Sequence, residues 1–105
     1  MRQYEQEIRV AGMALAHATL HEMGLEDERV FVKQAAIQRL LAEPNPATGK
    51  PHSATSASDV VGTDAEYKQH LSFIRQATFA KIVARANYEA TLAAARLGAE
   101  VEAVV

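Results

Sequence analysis

Three features of the 105-residue sequence predict an all-α protein. Alanine occurs 21 times, and together with Gln, Glu, Lys and Arg it fills two long stretches with strong helix formers. All three prolines, Pro44, Pro46 and Pro51, fall between residues 44 and 62, with two of the five glycines, Gly49 and Gly62. Pro and Gly punctuate structure, so that segment joins two helical arms. Strand-like composition is confined to Val30-Phe31-Val32, within a helical context. The expected architecture is an elongated antiparallel helical hairpin in a single helical domain (1–105). Arm one covers 2–43, the connection 44–62 and arm two 63–105.

In arm one, Tyr4, Ile8, Ala11, Leu15 and Ala18 recur at spacings of four and three, which is one apolar stripe of a helix. Gly24 interrupts it, and Glu26-Asp27-Glu28 suits the first turn of a new helix. The arm is therefore expected to be kinked or broken near Gly24. Beyond it Val30, Ile37 and Leu41 form the next stripe, thickened by Phe31, Ala35 and Leu40, until Pro44 ends the arm. In the connection, 43–49 is expected to be extended with a turn centred on Gly49, because each Pro biases its predecessor away from helix. Ser56-Ala57-Ser58-Asp59 has capping-box spacing and predicts one helical turn over 57–61.

Arm two opens with a second capping box, Thr63-Asp64-Ala65-Glu66, and meets no breaker until Gly98. A helix from Asp64 to about Gly98 would be roughly 50 Å long. A compact domain of this size has a radius of gyration of about 13 Å. Such a helix needs an elongated molecule whose arms pair, 2–42 against 63–98. Matching the arms by length places Glu22–Glu28 opposite Arg75–Arg85. Ile8, Leu15, Ile37, Leu71, Ile74 and Ile82 are expected to hold the arms together.

The apolar surface of arm two is wider than one stripe. Tyr67, Leu71, Ile74 and Thr78 mark one seam; Phe73, Ala80, Ala84, Tyr88 and Thr91 mark another; Phe79, Ile82 and Val83 broaden both. A two-helix hairpin buries one stripe per helix. The surplus predicts a homo-oligomer, a coiled-coil-like helical bundle, and the small residues from Ala84 to Ala95 permit close approach.

The net charge of −2 makes no general demand for nucleic acid or an anionic membrane. No apolar run approaches a membrane span, and Met1-Arg2-Gln3-Tyr4-Glu5 lacks a signal-peptide core, so a cytoplasmic location and no membrane contact are expected. The absence of cysteine removes disulfides, thiol chemistry and cysteine metal sites. His17 and His21 have the four-residue spacing of helical metal ligands, but His21-Glu22-Met23-Gly24 runs into Leu25 where a zinc protease has its second His. Pro46-Ala47-Thr48-Gly49-Lys50 resembles the end of a phosphate-binding loop, yet Pro44 replaces the required Gly and Pro51 the required Ser or Thr. Ser53, Ser56 and Ser58 beside His52 lack a nucleophile elbow and suit helix capping instead. No cofactor, metal or catalytic residue is expected, and the chain reads as non-enzymatic.

The most informative pattern is a charge asymmetry. From Tyr67 to Tyr88 there are four cations, Lys68, Arg75, Lys81 and Arg85, and no acid, with Tyr67, Phe73, Phe79 and Tyr88 interleaved. These cations are the candidate nucleic-acid or partner contacts. In one reading phosphates meet the cations while bases stack on the rings of a single-strand-binding face. In the other the cations pair with Glu22, Glu26, Asp27 and Glu28 across the hairpin, and the rings belong to the core.

Taken together, the turn Gly24-Leu25-Glu26-Asp27-Glu28-Arg29, the connection from Asn45-Pro46-Ala47-Thr48-Gly49-Lys50-Pro51 to Ala57, and Asp64-Ala65-Glu66-Tyr67 opening a long Ala/Glu/Arg helix are similar to small helical proteins of phage and prophage early or recombination gene clusters. The resemblance implies a virus-associated, non-enzymatic protein of the host cytoplasm. Its partner would be a DNA replication or recombination factor, or a host defence factor. It carries no catalytic residues onto this chain. The expected function is thus a helical interaction protein that binds a protein partner, the alternative being a single-stranded nucleic-acid-binding accessory protein using 67–88.

Overall fold

The computed structural model describes residues Arg2–Val104, so Met1 and Val105, at the ends of the expected domain, lie outside it. Helix α1 spans Arg2–Ala42, α2 Ala54–Val60 and α3 Ala65–Val104, with a 3-10 turn at Val61–Thr63. Among the described residues there is no strand, only an isolated bridge between Pro44 and Pro51. The fold is the expected all-α helical hairpin. It divides into two compact units, Met1–Glu22 with Gln76–Val105, and Met23–Arg75.

The first unit pairs the start of α1 with the end of α3, antiparallel. Tyr4, Ile8, Leu15 and Ala18 are half-buried and Ala11 is buried, as their spacing predicts. Facing them on α3 are Ala77, Ala84, Tyr88, Thr91 and Ala95, all buried or half-buried. Small residues set the closeness. A Cβ on Gly12 would lie 3.4 Å from the Tyr88 ring, and one on Gly98 only 2.7 to 2.8 Å from the Tyr4 ring and hydroxyl. Gly98 therefore makes room for Tyr4 and does not stop the helix, which runs on to Val104. Ile82, expected in the seam, is instead 55% exposed. Lys81 and Ala84 occupy the inward positions around it, and one residue is about 100° of helix.

The second unit has its core at Ala36, Val61 and Tyr67, with Val32, Ile37, Leu40 and Leu71 packed against it. The inward stripe of α1 is thus Val32-Ala36-Leu40, and the expected Val30 and Phe31 are 61% and 74% exposed. The helix phase follows Ala36, fully buried in the cluster that holds Tyr67. The expected break at Gly24 is absent: α1 is continuous through it. A helical glycine costs only about 1 kcal/mol relative to alanine, so the surrounding turns carry it.

Both expected capping boxes are displaced. Helix α2 starts earlier, at Ala54, because the Ser53 hydroxyl accepts from the Ser56 amide at 3.1 Å. The Ser56 hydroxyl is instead 2.7 Å from His52 Nδ1. For α3 the cap is Asp64, whose carboxylate accepts from the Tyr67 amide at 3.0 Å. Thr63 belongs to the 3-10 turn and donates its hydroxyl to the Val60 carbonyl at 2.7 Å. Asp64, directly after the 3-10 turn, has extended dihedrals (φ −64°, ψ 128°), which is what an N-cap requires. The turn before Pro51 is as expected: the Asn45 carbonyl accepts from Thr48 and Gly49, and Gly49 has φ +70°.

Candidate interaction surface

The four candidate cations on α3 have different surroundings. In the first unit Lys81 donates to Glu22 Oε1 at 2.5 Å, and the Thr78 hydroxyl donates to Glu22 Oε2 at 2.5 Å. Glu22 continues the Tyr4–Ala18 stripe by one more step of four, so it points at α3. Its bond from Lys81, helped by Thr78, outweighs partial burial and holds the carboxyl below its ordinary range, with the charges of Lys81 and Arg85 adding to the effect. Arg85 itself is exposed. In the second unit Lys68 and Arg75 are exposed, and neither makes an ion pair among the described residues.

The expected alignment of Glu22–Glu28 with Arg75–Arg85 therefore reduces to Glu22. Glu26 pairs within its own helix with Arg29, at 3.7 Å. Asp27 and Glu28 are exposed and make no ion pair among the described residues. One face of a helix points at its neighbour, and consecutive residues leave it at once. The aromatics divide too: Tyr67 is buried and Tyr88 half-buried, whereas Phe73 and Phe79 are 44% and 68% exposed.

Three anchoring contacts had no local signal in the sequence, because their partners are remote along the chain. Arg39 reaches Asp64 at 2.7 Å and Glu66 at 3.1 Å, tying the end of α1 to the start of α3. Burial raises the Asp64 carboxyl, but the Arg39 guanidinium and the Tyr67 and Glu66 amides outweigh it and leave it below the ordinary value. The neighbouring Tyr67 hydroxyl, with Glu26 on the same helix as Arg29, raises the already high pKa of the Arg29 guanidinium. Buried His70 sets Nε2 at 2.7 Å from the Leu25 carbonyl oxygen. A carbonyl only accepts, so Nε2 carries the proton.

Large apolar side chains remain outside. In the first unit Val10, Met13 and Leu20 are 56–66% exposed on α1's outward face, and α3 exposes Phe79, Ile82, Val83, Leu97 and Val101. A shallow groove beside α1 is lined by Val10, Ala11, Ala14, Asn87 and Thr91. In the second unit Met23, Val30, Phe31 and Phe73 are exposed. His17 and His21 are exposed, and among the described residues no three metal-ligating side chains come together. No described helix is long and apolar enough to cross a membrane. No protein-family model, curated protein or solved structure matches the chain.

Proposed function

We propose that the chain is a non-enzymatic helical interaction protein that docks an amphipathic helix of a protein partner. The observation that carries this reading is the outward stripe Val10, Met13 and Leu20 on α1, which lies on the side of the helix away from the buried Ile8–Ala11–Leu15 stripe. Apolar side chains spaced three and seven apart are the anchors by which one helix receives another. The resemblance to phage and prophage helical proteins supplies the setting: a DNA replication or recombination factor, or a host defence factor, in the cytoplasm of a bacterial cell. The test is affinity capture from such cells with the wild-type chain and with the Met13→Glu/Leu20→Glu variant. A specific partner lost in the variant, at unchanged helical circular dichroism, supports the reading. A partner set indifferent to both substitutions overturns it.

A second reading, direct binding of single-stranded nucleic acid, rests on Lys68 and Arg75, seven residues apart on α3 and without a carboxylate partner among the described residues. It is the weaker reading, because Lys81 is already engaged by Glu22 and, of the interleaved aromatics, Tyr67 is buried and Tyr88 half-buried. It requires oligonucleotide affinity that falls steeply with salt and is lost on removing Lys68 and Arg75. No mobility shift at low salt ends it.

A further inference from the structure

Within the first unit, α3 carries a second apolar seam on the side away from α1. Phe79, Val83, Ala86, Ala90, Ala93 and Leu97 follow one another at steps of four, three, four, three and four, and every one is exposed. This is the seven-residue repeat of a coiled-coil seam. The half-buried positions Ala84, Tyr88 and Ala95, which face α1, lie about half a turn from it. The helix is thus apolar on two opposite faces, and the hairpin covers one.

The charges beside this seam identify what covers the other. One flank of α3 carries Arg85, Glu89, Arg96 and Glu100, all exposed. Glu89, Arg96 and Glu100 make no ion pair among the described residues. The order of signs is plus, minus, plus, minus, with spacings of four, seven and four. That order is self-complementary on reversal: about a two-fold axis between Leu92 and Ala93, Arg85 lies level with Glu100 of a second copy, and Glu89 with its Arg96. In an antiparallel helix pair the same flank of each helix faces its counterpart, so the four charges meet with opposite signs. A parallel, in-register pair would set each charge level with its own copy. The same antiparallel pairing brings the seam alanines Ala90 and Ala93 of the two copies within one helical turn of each other at the centre, which lets the backbones approach, and Leu97 within one turn of Ala86.

We propose that a second copy of this chain covers the outer seam of α3, antiparallel, with its register fixed by two symmetric Glu89–Arg96 pairs. Flanking pairs of this kind choose partner and orientation, while the apolar seam supplies the affinity. The proposal does not depend on the partner-binding stripe of α1.

The test is sedimentation equilibrium on the full chain. The wild type is expected to dimerise. Glu89→Arg alone places two like-charged pairs in the interface, as does Arg96→Glu, and each is expected to weaken self-association by about tenfold or more, roughly the effect of 1.4 kcal/mol. Mixing the two variants is expected to restore dimers as heterodimers, and the double swap to restore the homodimer. Because the chain has no native cysteine, orientation is read independently with a short thiol crosslinker. Ala93→Cys, beside the axis, is expected to join two copies. Ala86→Cys, whose copies would lie roughly 20 Å apart along the axis at 1.5 Å per residue, is expected not to. A monomeric wild type, single swaps that associate like the wild type, or equal crosslinking at both positions overturns the proposal.

Discussion

Three glycines of this chain do three different things, and alanine substitution separates them. Gly24 lies in the interior of α1 with nothing within 4 Å of where a Cβ would go. Gly24→Ala is expected to raise stability by about 0.5–1 kcal/mol, because alanine loses less backbone entropy in a helix. Gly49 holds φ at +70° in the turn that returns the chain towards α2. Gly49→Ala is expected to cost about 1–2 kcal/mol, since an L side chain is strained in that region. Gly98 is helical like Gly24 but lies under the Tyr4 ring. Gly98→Ala is expected to show none of the gain seen at Gly24 unless Tyr4 is also cut back to alanine, which removes the obstacle. Urea midpoints of the single and double variants measure all of these, and a gain at Gly98 equal to that at Gly24 in the wild-type background would contradict the packing described for Tyr4.

At the scale of elements, the caps decide where α3 and α2 begin. Asp64→Ala removes both the bond to the Tyr67 amide and the carboxylate held by Arg39, so a loss of about 1 kcal/mol or more is expected from the cap alone. Thr63→Ala, which removes only a hydroxyl bond to Val60, is expected to stay within about 0.5 kcal/mol. Thermal unfolding of the pair distinguishes Asp64 from Thr63 as the helix start; equal losses would return the cap to Thr63. Both residues belong to the same sequence motif, and the reason it was misassigned is physical. The 3-10 turn at Val61–Thr63 is held by backbone bonds that composition does not reveal, and it moves the first extended residue on by one. Periodicity served well where a stripe was unambiguous, as from Tyr4 to Ala18. It failed where apolar residues were adjacent: Val30, Phe31 and Val32 offer three phases, and burial of Ala36 selected Val32. The Glu22–Lys81 pair was legible because both ends of the hairpin could be counted. Arg39–Asp64 and His70–Leu25 were not: Asp64 was read only within its local capping motif, and the acceptor for His70 is a backbone carbonyl, which every residue carries.

For the molecule as a whole, each unit contains one carboxylate held below its ordinary range, Glu22 in the first and Asp64 in the second. A depressed carboxyl pKa means that the unfolded chain takes up protons at a higher pH than the folded one. Stability then rises with pH across that interval. The contribution of each group is complete above its unfolded pKa, in the ordinary carboxylate range, and disappears as pH falls through the lower folded pKa. As far as these two groups are concerned, the urea midpoint is therefore expected to be steady from neutrality down to the ordinary carboxylate range, and to start falling as pH drops through that range. Glu22→Gln abolishes one titration, so its midpoint is expected to fall less steeply with acidification than that of the wild type, from a lower starting value at neutral pH. Lys81→Met leaves the Glu22 carboxyl in place but removes the donor that most favours its ionised form. In that variant the carboxyl carbon of Glu22, followed by NMR, should titrate at a higher pH than in the wild type. The two measurements check one another. If the Lys81→Met titration does not move, Lys81 is not what lowers the Glu22 pKa, and any flattening seen in Glu22→Gln would have to come from a different part of the molecule.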